Sequence, residues 1–420
     1  MKKELKIAIV GSGISGLSAA WLLNGNHDVT IFEKNNYLGG HSNTATINYD
    51  GTKINVDTGF IVFNHQTYPN LKAFFELLGV DTEKSDMSFG VRAADGLEYS
   101  GTNLAGLFVQ KSNLLKPKFW RMLADIVKFN KKAIALVEAD KINETQTLGE
   151  FINKLRLGQY FRHYYLLPMA AAIWSCPVSI MENYPAKTFL RFFYNHGLLT
   201  VINQPQWYTV SGGSKEYVKK MTASFAKKIK VGCKIVSARN FGKKIILEDE
   251  EGRGYEFDHV IFASHADQTC QIIKDKTLEE EKILGQVKYS KNLAILHRDL
   301  SQMPENKKAW ASWVYLLGKG EEQVSLTYWM NNLQNISEKY PLFVTLNPGQ
   351  KIPDQKIFGR YQYEHPIFDA TAIKAQKELE KIQGQRNMWF CGAWSGYGFH
   401  EDGLKSAMKV ASNFNIKAPW

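Results

Sequence analysis

Lys6-Ile7-Ala8-Ile9-Val10-Gly11-Ser12-Gly13-Ile14-Ser15-Gly16 is a short apolar run that breaks into three spaced glycines. Leu17 to Leu23 then has helical character, and Val29 to Phe32 is a second apolar run, ending on Glu33, 22 residues beyond Gly11. Strand, glycine turn, helix and strand within about 30 residues make the unit that binds a dinucleotide. The chemistry explains the spacing. One glycine makes the tight turn, one lets backbone approach a pyrophosphate, and one lets the helix pack close on the strand. The N–H groups of Gly11, Ser12, Gly13, Ile14, Ser15 and Gly16, with the positive end of the helix dipole, then face the phosphates. Glu33, with Lys34 beside it, is placed to accept from the adenosine ribose hydroxyls.

A second glycine loop follows at once, Tyr37-Leu38-Gly39-Gly40-His41-Ser42, and then Val56-Asp57-Thr58-Gly59-Phe60-Ile61. A Gly-Gly pair here lets the chain pass close to the pyrophosphate and ribityl of FAD, a loop that an NAD dehydrogenase does not need. Near the C-terminus, Phe390-Cys391-Gly392-Ala393-Trp394-Ser395-Gly396-Tyr397 runs into Gly398-Phe399-His400-Glu401-Asp402-Gly403-Leu404. With these motifs the chain resembles the flavin-dependent amine oxidase and phytoene desaturase superfamily. The resemblance implies that Gly392 meets the pyrophosphate and ribityl. It also implies that the helix start at Glu401, Asp402, Gly403 and Leu404 faces the flavin edge where negative charge grows on reduction. Ile235, after Ser211-Gly212-Gly213, matches the apolar position that contacts adenine. The cofactor is expected to be FAD, bound non-covalently.

Four further stretches narrow the resemblance. They are Trp207 to Ser214, Pro168 to Pro177 with Ile173-Trp174-Ser175, Asn195 to Leu199, and Gly398 to Gly403. They are similar to FAD-binding proteins allied to cyclopropane-fatty-acyl synthases. That implies a fatty-acyl lipid or phospholipid as substrate, a desaturation as the reaction, and a cyclopropane-synthase-like methyltransferase as a possible partner. An amine or isoprenoid oxidase, and a non-catalytic flavoprotein supporting such a methyltransferase, remain the alternatives.

The pattern along the chain implies an α/β fold. A discontinuous Rossmann-like FAD-binding domain takes residues 1–66, 207–270 and 385–420. A substrate domain takes 67–206, with a helical cap, and 271–384, with a mixed sheet. A helix is expected near 67–80, a hairpin near 95–101, helices through 104–200, a strand over Val324 to Trp329 and a last helix from about 402. The chain has 420 residues with 13% aromatics and 22% charged residues, which excludes a disordered or coiled-coil chain. No apolar run reaches the length that spans a bilayer. Glu4 and Lys6 interrupt the first ten residues, which read as a strand and not as a secretory leader. Cys176, Cys233, Cys270 and Cys391 are widely spaced, which fits buried, reduced thiols in a cytoplasmic protein and no metal site.

The net charge is +11. It suits solubility or an anionic partner, and no nucleic-acid module is present, so a membrane surface is favoured. Lys111, Lys116, Lys118, Arg121, Lys128, Lys131 and Lys132, interleaved with Phe108, Phe119, Trp120 and Phe129, suit the inner face of an anionic bilayer.

A base beside the flavin must take a proton while hydride leaves the neighbouring carbon. His400 and Glu401, read as lying just before the last helix, are the first candidates, and Tyr397 is the nearest aromatic wall. His65, after Phe60 to Asn64, is the next base. His297 and Asp299, two apart on a strand, read as a structural pair.

Overall fold

The computed structural model describes residues 4–174, 178–200, 204–318 and 325–420. Ser175, Cys176 and Pro177 of the Pro168–Pro177 run, and Val324, lie outside the described residues.

Five parallel strands form the nucleotide-binding sheet, in the order Ile229–Lys230, Asp28–Phe32, Lys6–Val10, His259–Phe262, Met388–Phe390. The chain therefore enters this sheet from its beginning, its middle and its end. The strands are apolar on both sides because each side has its own core. Ile7, Ile9, Ile31 and Ile261 pack with Leu17, Leu404 and Ala407. Ala8, Val10, Phe32 and Val260 pack with Ile235, Leu247 and Phe257 of an antiparallel meander. The helix Ile14–Leu23 is apolar all round and almost wholly buried. The last helix crosses it at Gly403, where a Cβ would lie 2.7 Å from Ile14 Cγ2 and 2.9 Å from Ser15 Oγ.

The substrate domain is built on a seven-stranded mixed sheet: Ile357–Ile367, Lys288–His297, Phe343–Leu346, Ser325–Trp329, Trp313–Leu317, Phe89–Ala93, Glu98–Ser100. Trp313–Leu317 and Phe89–Ala93 run parallel and the other neighbours antiparallel. Helices between Leu104 and Asn195 form the cap. The longest, Pro117–Glu138, turns Phe119, Met122, Phe129 and Ala133 inward, onto Phe151, Phe161, Phe189 and Phe193.

Two expectations are corrected and a third is met in a different form. The last helix begins at His400, because the Asp402 carboxylate accepts from the Phe399 N–H at 3.0 Å and closes the turn early. His400 and Glu401 thus lie inside its first turn. Cys233 and Cys391 are buried, but Cys270 is partly exposed. His297 and Asp299 are joined by a structural hydrogen bond as expected, but Asp299 lies beyond the strand that ends at His297. The Asp299 backbone N–H donates to His297 Nδ1, and the Asp299 carboxylate takes Lys356 and Ser301 instead. Among the described residues, no helix is long and apolar enough to cross a membrane.

Candidate active site

The two glycine loops lie against each other. Gly39 N–H donates to Ser12 O at 3.0 Å. Gly40 sits at φ +59°, and a Cβ there would be 3.2 Å from Gly13 Cα. Beyond Gly13 itself the space for a Cβ is open. The helix that starts at Ile14 has no side-chain cap and no acid in its first turn. A buried helix end without protein partners wants an anion, and a pyrophosphate satisfies its N–H groups. Glu33 is buried beside this loop and accepts from Ser12 N–H (3.0 Å), Ser12 Oγ (2.6 Å) and Asn35 N–H (2.8 Å), which fixes the carboxylate at its rim. Lys34 is exposed, 3.3 Å from Gln268 Oε1. Ile235 is buried in the meander core.

The segment from Asp57 to Ile61 is tied to the second loop. Phe60 N–H donates to His41 O at 2.7 Å, and a Cβ on Gly59 would meet that oxygen at 2.2 Å, so only glycine fits. Thr58 Oγ1 lies 2.7 Å from Tyr363 OH. Ile61 O accepts from Thr209 Oγ1 at 2.8 Å. Asp57 accepts from Thr44, from Gln334 and from the N–H and hydroxyl of Ser214. Burial pushes its carboxyl up to about 6 against these bonds.

The last helix delivers His400 to the same place. Its ring stacks on Phe60 at 3.7 Å, and Nε2 lies 2.9 Å from Ser42 Oγ and 3.2 Å from Tyr217 OH. Ser42 and Tyr217 hydrogen-bond to each other. Burial pushes His400 down to about 3, so its ring is neutral near pH 7. Gly392 N–H is held by Ser406 Oγ at 2.9 Å. Leu404 is buried, and burial also pushes Asp402 up to about 6. Cys391 is buried, and burial pushes its thiol up to about 12, which leaves no thiolate to bond a flavin.

Two base candidates are placed elsewhere. Glu401 turns away from the loops to the start of helix Pro69–Leu78, where it accepts from Asn70 N–H (3.2 Å), Asn70 Nδ2 (2.6 Å) and Leu71 N–H (2.9 Å). It clamps one helix start to another, with both carboxylate oxygens engaged there. His65 is exposed and stacked on Tyr208 at 4.0 Å, on the outer surface. Tyr397 is partly buried, 5.7 Å from Phe192 of the cap, and Phe399 stacks on Phe192 at 5.0 Å. His196 stacks on Phe192 at 3.8 Å and lies 5.6 Å from Phe399.

The long strand Ile357–Ile367 adds residues that the sequence reading missed. Tyr363 and His365 share one strand face, and both approach His41, at ring distances of 5.0 and 5.2 Å. His41 Nε2 is buried with no hydrogen-bond partner among the described residues. Asn292 Nδ2 donates to His365 Nδ1 at 2.9 Å. His265 stacks on Tyr289 at 4.3 Å, with Glu364 3.4 Å away. Burial pushes His41 down to about 4, and His265 and His365 to about 3. The period-2 pair of Tyr363 and His365 was the available signal; which strand face meets the loops is not written in it.

The family model described as an NAD(P)-binding Rossmann-like domain matches residues 9–78. The 4,4'-diapophytoene desaturase of Staphylococcus aureus strain Newman is 52% identical over 40 residues, 9% of this chain and 8% of that protein. The chain thus matches less than a tenth of the length of such curated relatives. Over the whole chain, the conjugated-linoleic-acid-producing fatty acid isomerase from P. acnes superposes with a TM-score of 0.69 at 14% identity, covering 99% of this chain and 100% of that one. Cyclohexylamine oxidase from Brevibacterium oxydans gives 0.70 at 13% identity, covering 98% and 100%. The chain has the fold of the flavin amine oxidase and phytoene desaturase superfamily. FAD is the cofactor of that fold. The uncapped helix at Ile14, the paired glycine loops and the unpartnered His41 Nε2 fit it.

Proposed function

We propose that this protein is an FAD-dependent oxidoreductase that desaturates a fatty-acyl chain of a phospholipid. One observation carries the reading: among the described residues, the carboxylates of the last helix's first turn and of the Asp57–Ile61 segment are already taken up by protein donors. Asp57, Glu401 and Asp402 are each engaged by backbone N–H donors, and His41, His365 and His400 are neutral. An amine substrate wants a counter-charge in such a buried place. An alkyl chain wants none, and the wall made by Phe192, Tyr397 and Phe399 is aromatic.

FAD, when bound, supplies the hydride acceptor. The chain's own residues do the rest. Glu33 and the helix start at Ile14 hold the adenosine and phosphate end. Tyr397 and Phe399, packed under the cap, keep water from the reacting carbons. An acyl C–H has no acidic proton, so a base must take the second hydrogen as the first departs as hydride. His400 is neutral, is fixed by its stack on Phe60, and is bonded through Nε2 to Ser42 and Tyr217; in the tautomer with the proton on Nε2, Nδ1 is the acceptor, and a proton taken at Nδ1 is balanced by the Nε2 proton passing to those hydroxyls. His41, with its bare Nε2, is the second neutral acceptor. The test is mass spectrometry of phospholipid incubated with holoprotein and air. Product lighter by two hydrogens is expected. Unaltered lipid alongside oxidation of an added alkylamine overturns the reading.

A further inference from the structure

We infer that the outer face of helix Pro117–Glu138, with the edge formed by Leu104 to Leu115, docks the protein on an anionic lipid bilayer. Exposed apolar side chains gather along this edge. Leu104 is 76% exposed, Leu115 86%, Trp120 49% and Leu114 47%. Isolated exposed leucines are ordinary, but these adjoin one another. Trp120 Nε1 donates to the Leu114 carbonyl at 2.9 Å, and Phe108 lies 5.3 Å from the Trp120 ring. The indole N–H is thereby satisfied within the protein, and its apolar body faces outward. Val127 continues the apolar line one helical turn beyond Leu123, at 61% exposure.

Charge complements this ridge. Lys111, Lys116, Lys118 and Arg121 flank it, and Lys128, Lys131 and Lys132 follow along the helix, all exposed. The one acid between residues 104 and 137 is Asp125, which is buried and accepts from the Gly158 N–H at 2.8 Å. Among the described residues, Arg121 alone of the seven cations has an acid within ion-pair distance, Asp125 at 3.9 Å. A solvated helix face normally mixes both signs. A face with cations only, and with Leu and Trp at its centre, matches the interfacial region of a bilayer, where apolar side chains enter and bases meet lipid phosphates. Nucleic acid offers phosphates too, but it gives protruding leucines nothing to enter. The helix's inner face belongs to the apolar cluster that extends through Phe189 and Phe192 to Tyr397 and Phe399. The docking face and the aromatic wall of the site are thus two sides of one cap. The inference does not rest on the substrate reading, and its test involves no turnover.

The test is co-sedimentation of the full-length holoprotein with vesicles of phosphatidylcholine alone, or of equal parts phosphatidylcholine and phosphatidylglycerol. Binding to the anionic vesicles only, weakening as salt rises, is expected. Lys116→Glu with Lys118→Glu and Arg121→Glu should weaken it at least about a hundredfold, since each base near the surface contributes to attraction. Leu115→Ser with Trp120→Ser keeps every charge and should weaken it at least about tenfold, because it removes the inserted apolar groups. All five positions are exposed, and thermal melts of the variants should match the wild type. Equal binding to both vesicles, or no binding, overturns the inference. So does tighter binding to a DNA duplex than to anionic vesicles that is indifferent to the Leu115 and Trp120 changes; the patch is then a nucleic-acid surface.

Discussion

Replacing Glu401 by Gln separates two roles that the sequence alone could not. The carboxylate accepts three hydrogen bonds at the start of helix Pro69–Leu78 and is 4% exposed. Hydrogen bonds to a charged group contribute about 1.5–3 kcal/mol each. Gln keeps one acceptor oxygen, but its NH2 faces N–H donors, so one or two of the three bonds are lost. The cost should be about 2–4 kcal/mol, with the loss of a negative charge at a helix N-terminus included. For a chain of this length roughly 1 kcal/mol corresponds to 1 °C, because the unfolding entropy grows with size. The melting temperature of the holoprotein, followed by flavin fluorescence, should therefore fall by a few degrees. The rate of flavin reduction by lipid in anaerobic stopped flow should stay within about threefold of wild type, against the roughly hundredfold or greater loss typical of a missing base. An unchanged melt with reduction slowed a hundredfold would refute the positioning role and restore Glu401 as the base.

Other outcomes follow from the same geometry. His400→Ala should leave FAD bound and slow flavin reduction at least about a hundredfold, the scale of a lost proton acceptor; wild-type rates would transfer the role to His41. Glu33→Ala should raise the Kd for FAD roughly ten- to a hundredfold, from a lost charged hydrogen bond of about 1.5–3 kcal/mol; a fluorescence titration of apoprotein giving the wild-type Kd contradicts that. Gly403→Ala places a methyl 2.7 Å from Ile14 and should destabilise by about 1–3 kcal/mol in urea unfolding. Apoprotein stability should fall as pH drops from about 6.5 toward 4. His41, His265, His365 and His400 stay neutral in the fold while unfolded histidines take up protons near 6.5, so each adds about 1.4 kcal/mol per pH unit to the slope. Asp57 and Asp402, raised to about 6, act in the opposite sense but are fewer; equal urea midpoints at pH 7 and pH 5 would show that the imidazoles are not buried as described.

The nucleotide-binding half was legible because its signals are local. Gly11, Gly13 and Gly16 sit within one turn, and Glu33 ends the adjacent strand, so periodicity and spacing place them without tertiary information. The base candidates were legible only as neighbours in sequence. His400 and Glu401 are adjacent, but a helix turns about 100° per residue. Starting that helix at His400 sends one side chain onto Phe60 and the other to Asn70. His65 follows Asn64 on a strand that ends at Asn64, so it leaves the sheet for solvent. His41, Tyr363 and His365 meet only because the strand Ile357–Ile367 comes back across the second glycine loop, a contact more than 300 residues apart in the chain. No spacing rule reaches that far.

The central claim is that an uncharged acyl chain, and not an amine, reduces the flavin of this protein. Anaerobic mixing of yellow holoprotein with monounsaturated and saturated phospholipids, and separately with putrescine and cyclohexylamine, tests it in one series. Bleaching of the flavin absorbance by a phospholipid and none by either amine is the predicted result. Bleaching by an amine while every phospholipid leaves the spectrum unchanged would contradict it.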